Sequence, residues 1–142
     1  MVDTSLPKWK IALRVGISGV IGLRGIIALS NAVKNDSPRL MQGRTVHPSI
    51  GNDINVEKCC AIAYCGWSTI DKCLTPNQVY EYFKTICELA NVELEDAKEC
   101  NDVSVNEFVG WFDATDRKTA FAELSKELDY IIDKMKKKEP IA

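Results

Sequence analysis

Histidine is all but missing from this chain of 142 residues: His47 is the only one. Acid–base chemistry at neutral pH is thereby narrowed to a single imidazole, the side chain whose ordinary pKa lies there. Neither charge sign dominates, since 18 Lys and Arg against 20 Asp and Glu leave a formal net charge of −2. A protein that coats duplex nucleic acid carries a basic stripe, and one that imitates nucleic acid carries far more negative charge. Neither description fits, so nucleic acid is not an expected partner. A C-x-x-C pair, a phosphate-cradling glycine loop and a serine-centred elbow are also lacking. The N-terminus opens with Asp3, Thr4, Ser5 and Pro7, where a secretory signal would place basic and then apolar residues.

A long uninterrupted apolar run is lacking as well. Residues 11–29 are apolar enough, and long enough, to suggest a bilayer span. Arg14 and Arg24 interrupt them, each at roughly 2.5–3.5 kcal/mol on insertion scales, so no membrane span is expected. The segment then has two water-soluble readings. Ile11, Leu13, Val15 and Ile17 alternate with Lys10, Ala12, Arg14 and Gly16, which is strand periodicity. Leu13, Ile17, Val20 and Ile27 instead share a helical face, with Ile26, Leu29 and Val33 continuing it. A buried helix, from about residue 18 onward, is the favoured reading. Gly16, Gly19, Gly22 and Gly25 recur at every third position. Each costs roughly 0.5–1 kcal/mol in a helix relative to alanine, so close packing is their structural reason. The four together form a candidate interaction face.

Cysteine, by contrast, is plentiful: Cys59, Cys60, Cys65, Cys73, Cys87 and Cys100. An even count admits a disulfide framework. A chain of this length needs no such staples, and most of these residues lie in apolar helical runs where free cysteine behaves as a small hydrophobe. Reduced core thiols in a cytoplasmic protein are the expectation. Cys60 and Cys65 have a spacing seen in zinc sites, but no matching downstream pair follows. The one thiol site the sequence offers is Cys60 or Cys65 beside His47, and a lone loop histidine next to a proline is ordinarily just solvated. The acidic stretch from Glu88 to Glu107 imitates a calcium loop, yet aligning Glu107 with its last ligand puts Lys98 and Cys100 at ligand positions. No cofactor or metal is expected.

Turn and cap signals mark out the remaining elements. Residues 35–55 hold Pro38, Gly43, Pro48 and Gly51 and read as a loop or short hairpin, tacked to the core by Leu40, Met41, Val46 and Ile50. A short apolar helix follows, carrying Cys59, Cys60, Ile62, Ala63 and Trp67, and stopping near Gly66. Thr75-Pro76-Asn77-Gln78 is a capping box with proline at the first helical position; Val79, Tyr82, Phe83, Ile86, Cys87 and Ala90 keep helical spacing after it. A second box, Ser104 to Glu107, precedes Phe108, Val109, Trp111 and Phe112. Asp113 or Thr115 caps a last helix bearing Phe121, Leu124, Leu128, Ile131 and Met135. Lys134, Lys136, Lys137 and Lys138 end that helix and complement its dipole. The fold class is a single all-α domain over residues 1–142, a small bundle of four to five helices, with α+β as the alternative should residues 10–17 form a strand.

Three short motifs carry a family resemblance. Met41-Gln42-Gly43, Cys60-Ala61-Ile62-Ala63, and Trp111-Phe112-Asp113 with Arg117-Lys118-Thr119 resemble the turn, short helix and closing segment of a small domain-of-unknown-function family found in bacteria and phages. Members of that family show Trp-x-Gln-Gly, Cys-Ala-x-Gly-Ala and Trp-Asn-Asp…Arg-Thr. Here Leu40 replaces the aromatic, Ala63 stands where glycine is usual, and Phe112 replaces the asparagine in a closing segment one residue longer. The resemblance covers about residues 20–133 and implies a small helical domain; it brings no activity with it. Read from the residues themselves, Gln42 and Gly43 suit a tight turn and Arg117 would pair with Asp113. The functional expectation is a non-enzymatic protein-interaction or accessory factor, of phage type, that binds another protein or itself. The alternative is a small-molecule-binding, metal-binding or enzymatic domain built on the Cys59–Cys73 region and His47.

Overall fold

A computed structural model describes residues 2–100 and 102–141. It is mostly helical, with one two-stranded sheet. After Pro7 the first helix, α1, covers residues 8–21: an α-turn Lys8–Ile11, a π-helical stretch Ala12–Ile17 and a closing α-turn Ser18–Ile21. The widened turn is fixed at its end by the Ser18 N–H, which donates to the Leu13 carbonyl five residues back. The strand alternative for residues 10–17 is therefore not adopted. Its alternation is misleading because the segment is buried on nearly all sides: Ile11, Ala12, Leu13, Gly16 and Ile17 are all inside. Where both faces are buried, neither period is legible.

Gly22, at φ +88°, breaks the run, and α2 (Leu23–Lys34) continues in a new direction. This break is one reason the described residues form six helices where the sequence suggests four to five. The buried stripe Ile26, Leu29 and Val33 of α2 lies along the last helix. In the segment that follows, β1 (Val46–His47) pairs antiparallel with β2 (Lys58–Cys59), Val46 opposite Cys59 and His47 opposite Lys58. Leu40 bridges to Cys59 from the other side. Leu40 and Val46 are buried as expected, but Ile50 is not a core residue: it stands 78% exposed.

α3 (Ala61–Trp67) begins two residues later than the sequence suggests, because Cys59 belongs to the sheet. α4 (Pro76–Asp96) starts on the expected capping box, with the Gln78 N–H donating to the Thr75 hydroxyl while the Gln78 side chain accepts from the Thr75 N–H. The box expected at Ser104 is not made. α5 (Val105–Ala114) takes its first cap from α4 instead: the Val105 N–H donates to Asn91 Oδ1 at 2.9 Å. α6 (Arg117–Lys137) is capped by Asp116, whose carboxylate accepts from the Thr119 N–H at 3.0 Å, and not by Asp113 or Thr115. The buried residues form one contiguous core. Aromatic rings tie its far side together: Trp9 of α1 stacks on Trp111 of α5 at 3.6 Å, and Phe112 stacks on Phe121 of α6 at 6.0 Å.

Candidate interaction surface

The two thiols of the candidate site, Cys60 and Cys65, lie inside the protein. Burial pushes the Cys60 thiol up to about 12 and that of the half-buried Cys87 to about 11, and it raises Cys59 and Cys65 as well. A thiol held protonated is a poor nucleophile. His47 lies on the sheet edge with its Nε2 3.4 Å from the Glu57 carboxylate across the strand pair. Among the described residues, no group of three or more His, Cys, Asp or Glu is placed to hold a metal ion. Burial also raises the Tyr82 phenol.

The candidate glycine face splits into three kinds of position. Gly16 is an internal contact: a Cβ there would sit 2.8 Å from Leu94 Cγ and 3.0 Å from the Ala90 carbonyl of α4. Gly25 is another, since a Cβ would meet Ile21 Cγ2 at 2.5 Å and Cys65 Cβ at 3.2 Å. Gly22 is required by its positive φ. Gly19 alone has no internal reason: it is exposed, and a Cβ there would meet nothing within 4 Å. It borders an open groove of about 440 Å³ between α1 and α4, lined by Val15, Gly16, Gly19, Val20, Leu89 and Glu93.

The residues of the three motifs meet at one junction. The Gln42 amide nitrogen donates to the Phe112 and Thr115 carbonyls, both at 2.7 Å, which satisfies the open C-terminal end of α5. The Gly43 N–H donates to Asp113 Oδ1 at 2.9 Å. Arg117 does not pair with Asp113; it donates to Asp36 Oδ1 at 2.8 Å and to the Leu40 and Ser37 carbonyls, and lies 4.3 Å from the Phe121 ring. One guanidinium thus fastens the chain after α2 to the start of α6. Cys60, Ala61 and Ile62 lie against Phe108, Phe112 and Asp113. Gln42 and Gly43 bond to α5, and Arg117 bonds to two backbone carbonyls and the Asp36 carboxylate, so these polar groups hold the junction together.

A buried ion pair was not visible in the sequence. Arg14, within the π-helical stretch, makes a two-pronged pair with Glu127 of α6, its Nη2 3.0 Å from Oε1 and its Nε on Oε2. Their side chains are 14% and 4% exposed. The guanidinium lies 4.1 Å from the Tyr130 ring, and hydrogen bonding to Glu127 holds its pKa above the ordinary arginine value. Nothing in the spacing of residues 113 apart signals such a pair.

The fold leaves several large apolar side chains outside. Ile50, Ile54, Ile70, Leu74, Tyr80, Leu89 and Val92 are each between 44% and 78% exposed. They lie on α4 and on the loops that precede it. Around its N-terminal end, Gly51 and Asn77 exchange two hydrogen bonds that hold the 50–54 loop on the helix start. Beside them opens a groove of about 470 Å³, lined by Ile70, Cys73 and Tyr82 with Asn52, Lys72 and Glu81 among its polar residues. Further along, Leu89 lines the groove that contains Gly19, and Val92 is exposed three residues on. The sequence offers no separate signal for these residues, since an apolar side chain next to a buried stripe reads as core. Among the described residues, no helix is long and apolar enough to cross a membrane. No protein-family model, curated protein or solved structure matches the chain.

Proposed function

We propose that this chain is a non-enzymatic protein-binding module, an accessory factor that engages another protein or itself through the apolar surfaces beside α4. The observation that carries this reading is the set of seven large apolar side chains left 44–78% exposed on one long helix and the loops at its start. Apolar residues scattered singly are ordinary, whereas clustered ones beside a groove mark interaction sites. Among the described residues, the polar groups of the motif junction bond within the protein and the Cys59, Cys60 and Cys65 thiols are buried, which supports a binding role. Buried unpaired cysteines suit a reducing, cytoplasmic setting, and the net charge of −2 argues against nucleic acid as the partner. The meeting of Gln42, Gly43, Asp113 and Arg117 at one junction supports the resemblance to the bacterial and phage family, whose short motifs then have a shared structural purpose.

The test is photo-cross-linking from positions 50, 70 and 89 combined with sedimentation equilibrium. A cross-linked partner or a reversible oligomer, lost in an Ile50→Ser/Ile70→Ser/Leu89→Ser variant of unchanged melting temperature, supports the module. A strictly monomeric chain that cross-links to nothing overturns it. A second reading, an apolar small-molecule site, is favoured only by the groove at Ile70, Cys73 and Tyr82; it predicts that a ligand retained in native mass spectrometry protects Cys73 from alkylation.

A further inference from the structure

We infer that the pocket between β1 and α4 binds the phosphate group of a small phosphomonoester. This goes beyond the protein-binding reading and uses none of the positions 50, 70 and 89 on which that reading is tested. The pocket has a volume of about 350 Å³ and is lined by Arg44, Thr45, Val46, Ser49 and Tyr80. That size lies toward the lower end of small-molecule sites. Arg44 is the one charged side chain among these lining residues, so no carboxylate competes with an anion there. Thr45, Ser49 and Tyr80 each add a hydroxyl, and the buried Val46 supplies an apolar wall.

The fold makes no use of these polar side chains. Among the described residues, Arg44 is in no ion pair. Nor does the side chain of Arg44, Thr45, Ser49 or Tyr80 make a hydrogen bond to any other described residue. Arg117 is the contrasting case, its guanidinium spent on Asp36 and two carbonyls. The backbone beneath the pocket is nevertheless fixed. Just before Arg44, the Gly43 N–H donates to Asp113. The Thr45 carbonyl accepts from the Cys60 N–H at 2.9 Å, Val46 pairs with Cys59, and the His47 carbonyl accepts from the Glu57 N–H at 2.8 Å. Tyr80 stands one turn into α4, past its completed capping box. A phosphomonoester presents three acceptor oxygens and roughly −1.5 to −2 of charge at pH 7. One guanidinium fork with three hydroxyls matches that group, whereas a carboxylate has only two oxygens and would leave donors unused. Tyr80, 47% exposed, offers a ring face to the organic part of the ligand.

Nuclear magnetic resonance titration of the isotope-labelled chain with phenyl phosphate tests this, with benzoate and a phosphoserine peptide as comparisons. The expected result is a saturable set of amide shifts over residues 44–49, reached at lower concentration with phenyl phosphate than with benzoate. Arg44→Met should weaken the binding by about tenfold. Arg44→Lys should weaken it less, because an ammonium keeps the charge and loses the fork. Both variants should keep the melting temperature, since the side chain has no partner to lose. The inference is overturned by the absence of saturable shifts at these residues, by shifts that persist unchanged in Arg44→Met, or by benzoate binding as tightly as phenyl phosphate. A phosphoserine peptide that binds more tightly than phenyl phosphate overturns it too, since the ligand is then a protein segment. Cross-links from positions 50, 70 and 89 depend on none of these outcomes, so this inference and the protein-binding reading can fail separately.

Discussion

At the scale of single residues, the Arg14–Glu127 pair is a large energetic commitment. Removing one partner from a buried, two-pronged pair leaves the other charge uncompensated, and such losses run to about 3–5 kcal/mol. Glu127→Ala should therefore destabilise by about 3 kcal/mol, the lower end, because the guanidinium retains some solvent. An Arg14→Met/Glu127→Leu double variant should recover most of that loss in urea unfolding. A double variant as unstable as the single one would show that the pair contributes net stability rather than merely needing to be complete. The thiols make a pH prediction. Their folded-state values are raised, to about 12 for Cys60 and about 11 for Cys87, against about 8.5 in an unfolded chain. Their contribution is complete below about pH 8.5 and is lost as pH rises toward the folded values, because the unfolded state sheds protons first. The urea midpoint should fall between pH 7 and pH 10, and fall less in Cys60→Ala. An identical fall in both proteins would remove Cys60 from the cause. In native protein near neutral pH, iodoacetamide should label Cys87 before the buried thiols, with all six reacting after denaturation.

At the scale of elements, the four glycines are evenly spaced in sequence and unequal in consequence. Gly16→Ala and Gly25→Ala force a Cβ into Leu94 and into Ile21 and Cys65; overpacking of this kind costs about 1–3 kcal/mol. Gly19→Ala meets nothing and should stabilise by about 0.5–1 kcal/mol. Thermal unfolding of the three variants checks the ordering, and a destabilising Gly19→Ala would mean that α1 is packed differently. Helix ends behave the same way, in that what counts is the partner actually reached. Thr75→Ala removes a completed capping box and should cost about 1 kcal/mol, whereas Ser104→Ala, at a position making no side-chain cap bond, should cost much less. The Gln42 amide closes the end of α5 from a distant loop, so Gln42→Ala is expected to destabilise by more than a typical surface change, by about 1–3 kcal/mol.

For the whole molecule, the question is which apolar surface folding consumes and which it leaves. The core draws on every helix, and the aromatic ladder from Trp9 through Trp111, Phe108 and Phe112 to Phe121 joins α1 to α5 and α6. The surfaces beside α4 are left over. Side chains already in water lose little when made polar, so Ile50→Ser/Ile70→Ser should hold the melting temperature within about 2–4 °C, a shift that corresponds to under about 1 kcal/mol. Association measured by sedimentation should be the property that changes. A large fall in melting temperature would mean that these residues are packed, and the proposed surface would be lost with them.

Local physics made much of the helical framework legible from the residues alone. The threonine–proline–glutamine start of α4, the regular apolar spacing along it, and the stripe Phe121, Leu124, Leu128 and Ile131 on α6 depend only on neighbours within a turn or two. So does the interruption of residues 11–29 by Arg14 and Arg24, which argues against a membrane span. What the tertiary structure decided is everything that depends on who arrives from far away in the chain. Residues 10–17 are helical, π-helical from Ala12 on, and their burial against α4 and α5 erases any readable period. Val105 is capped by Asn91, Gln42 caps α5, and Arg117 turns to Asp36 because each satisfies a backbone or charged group that local sequence left open. The same distinction separates Leu94 from Leu89 on one helix: equal in character and five residues apart, one is buried against Gly16 and the other remains in water. Hydrophobicity can be read from a side chain, but burial is a property of its neighbours.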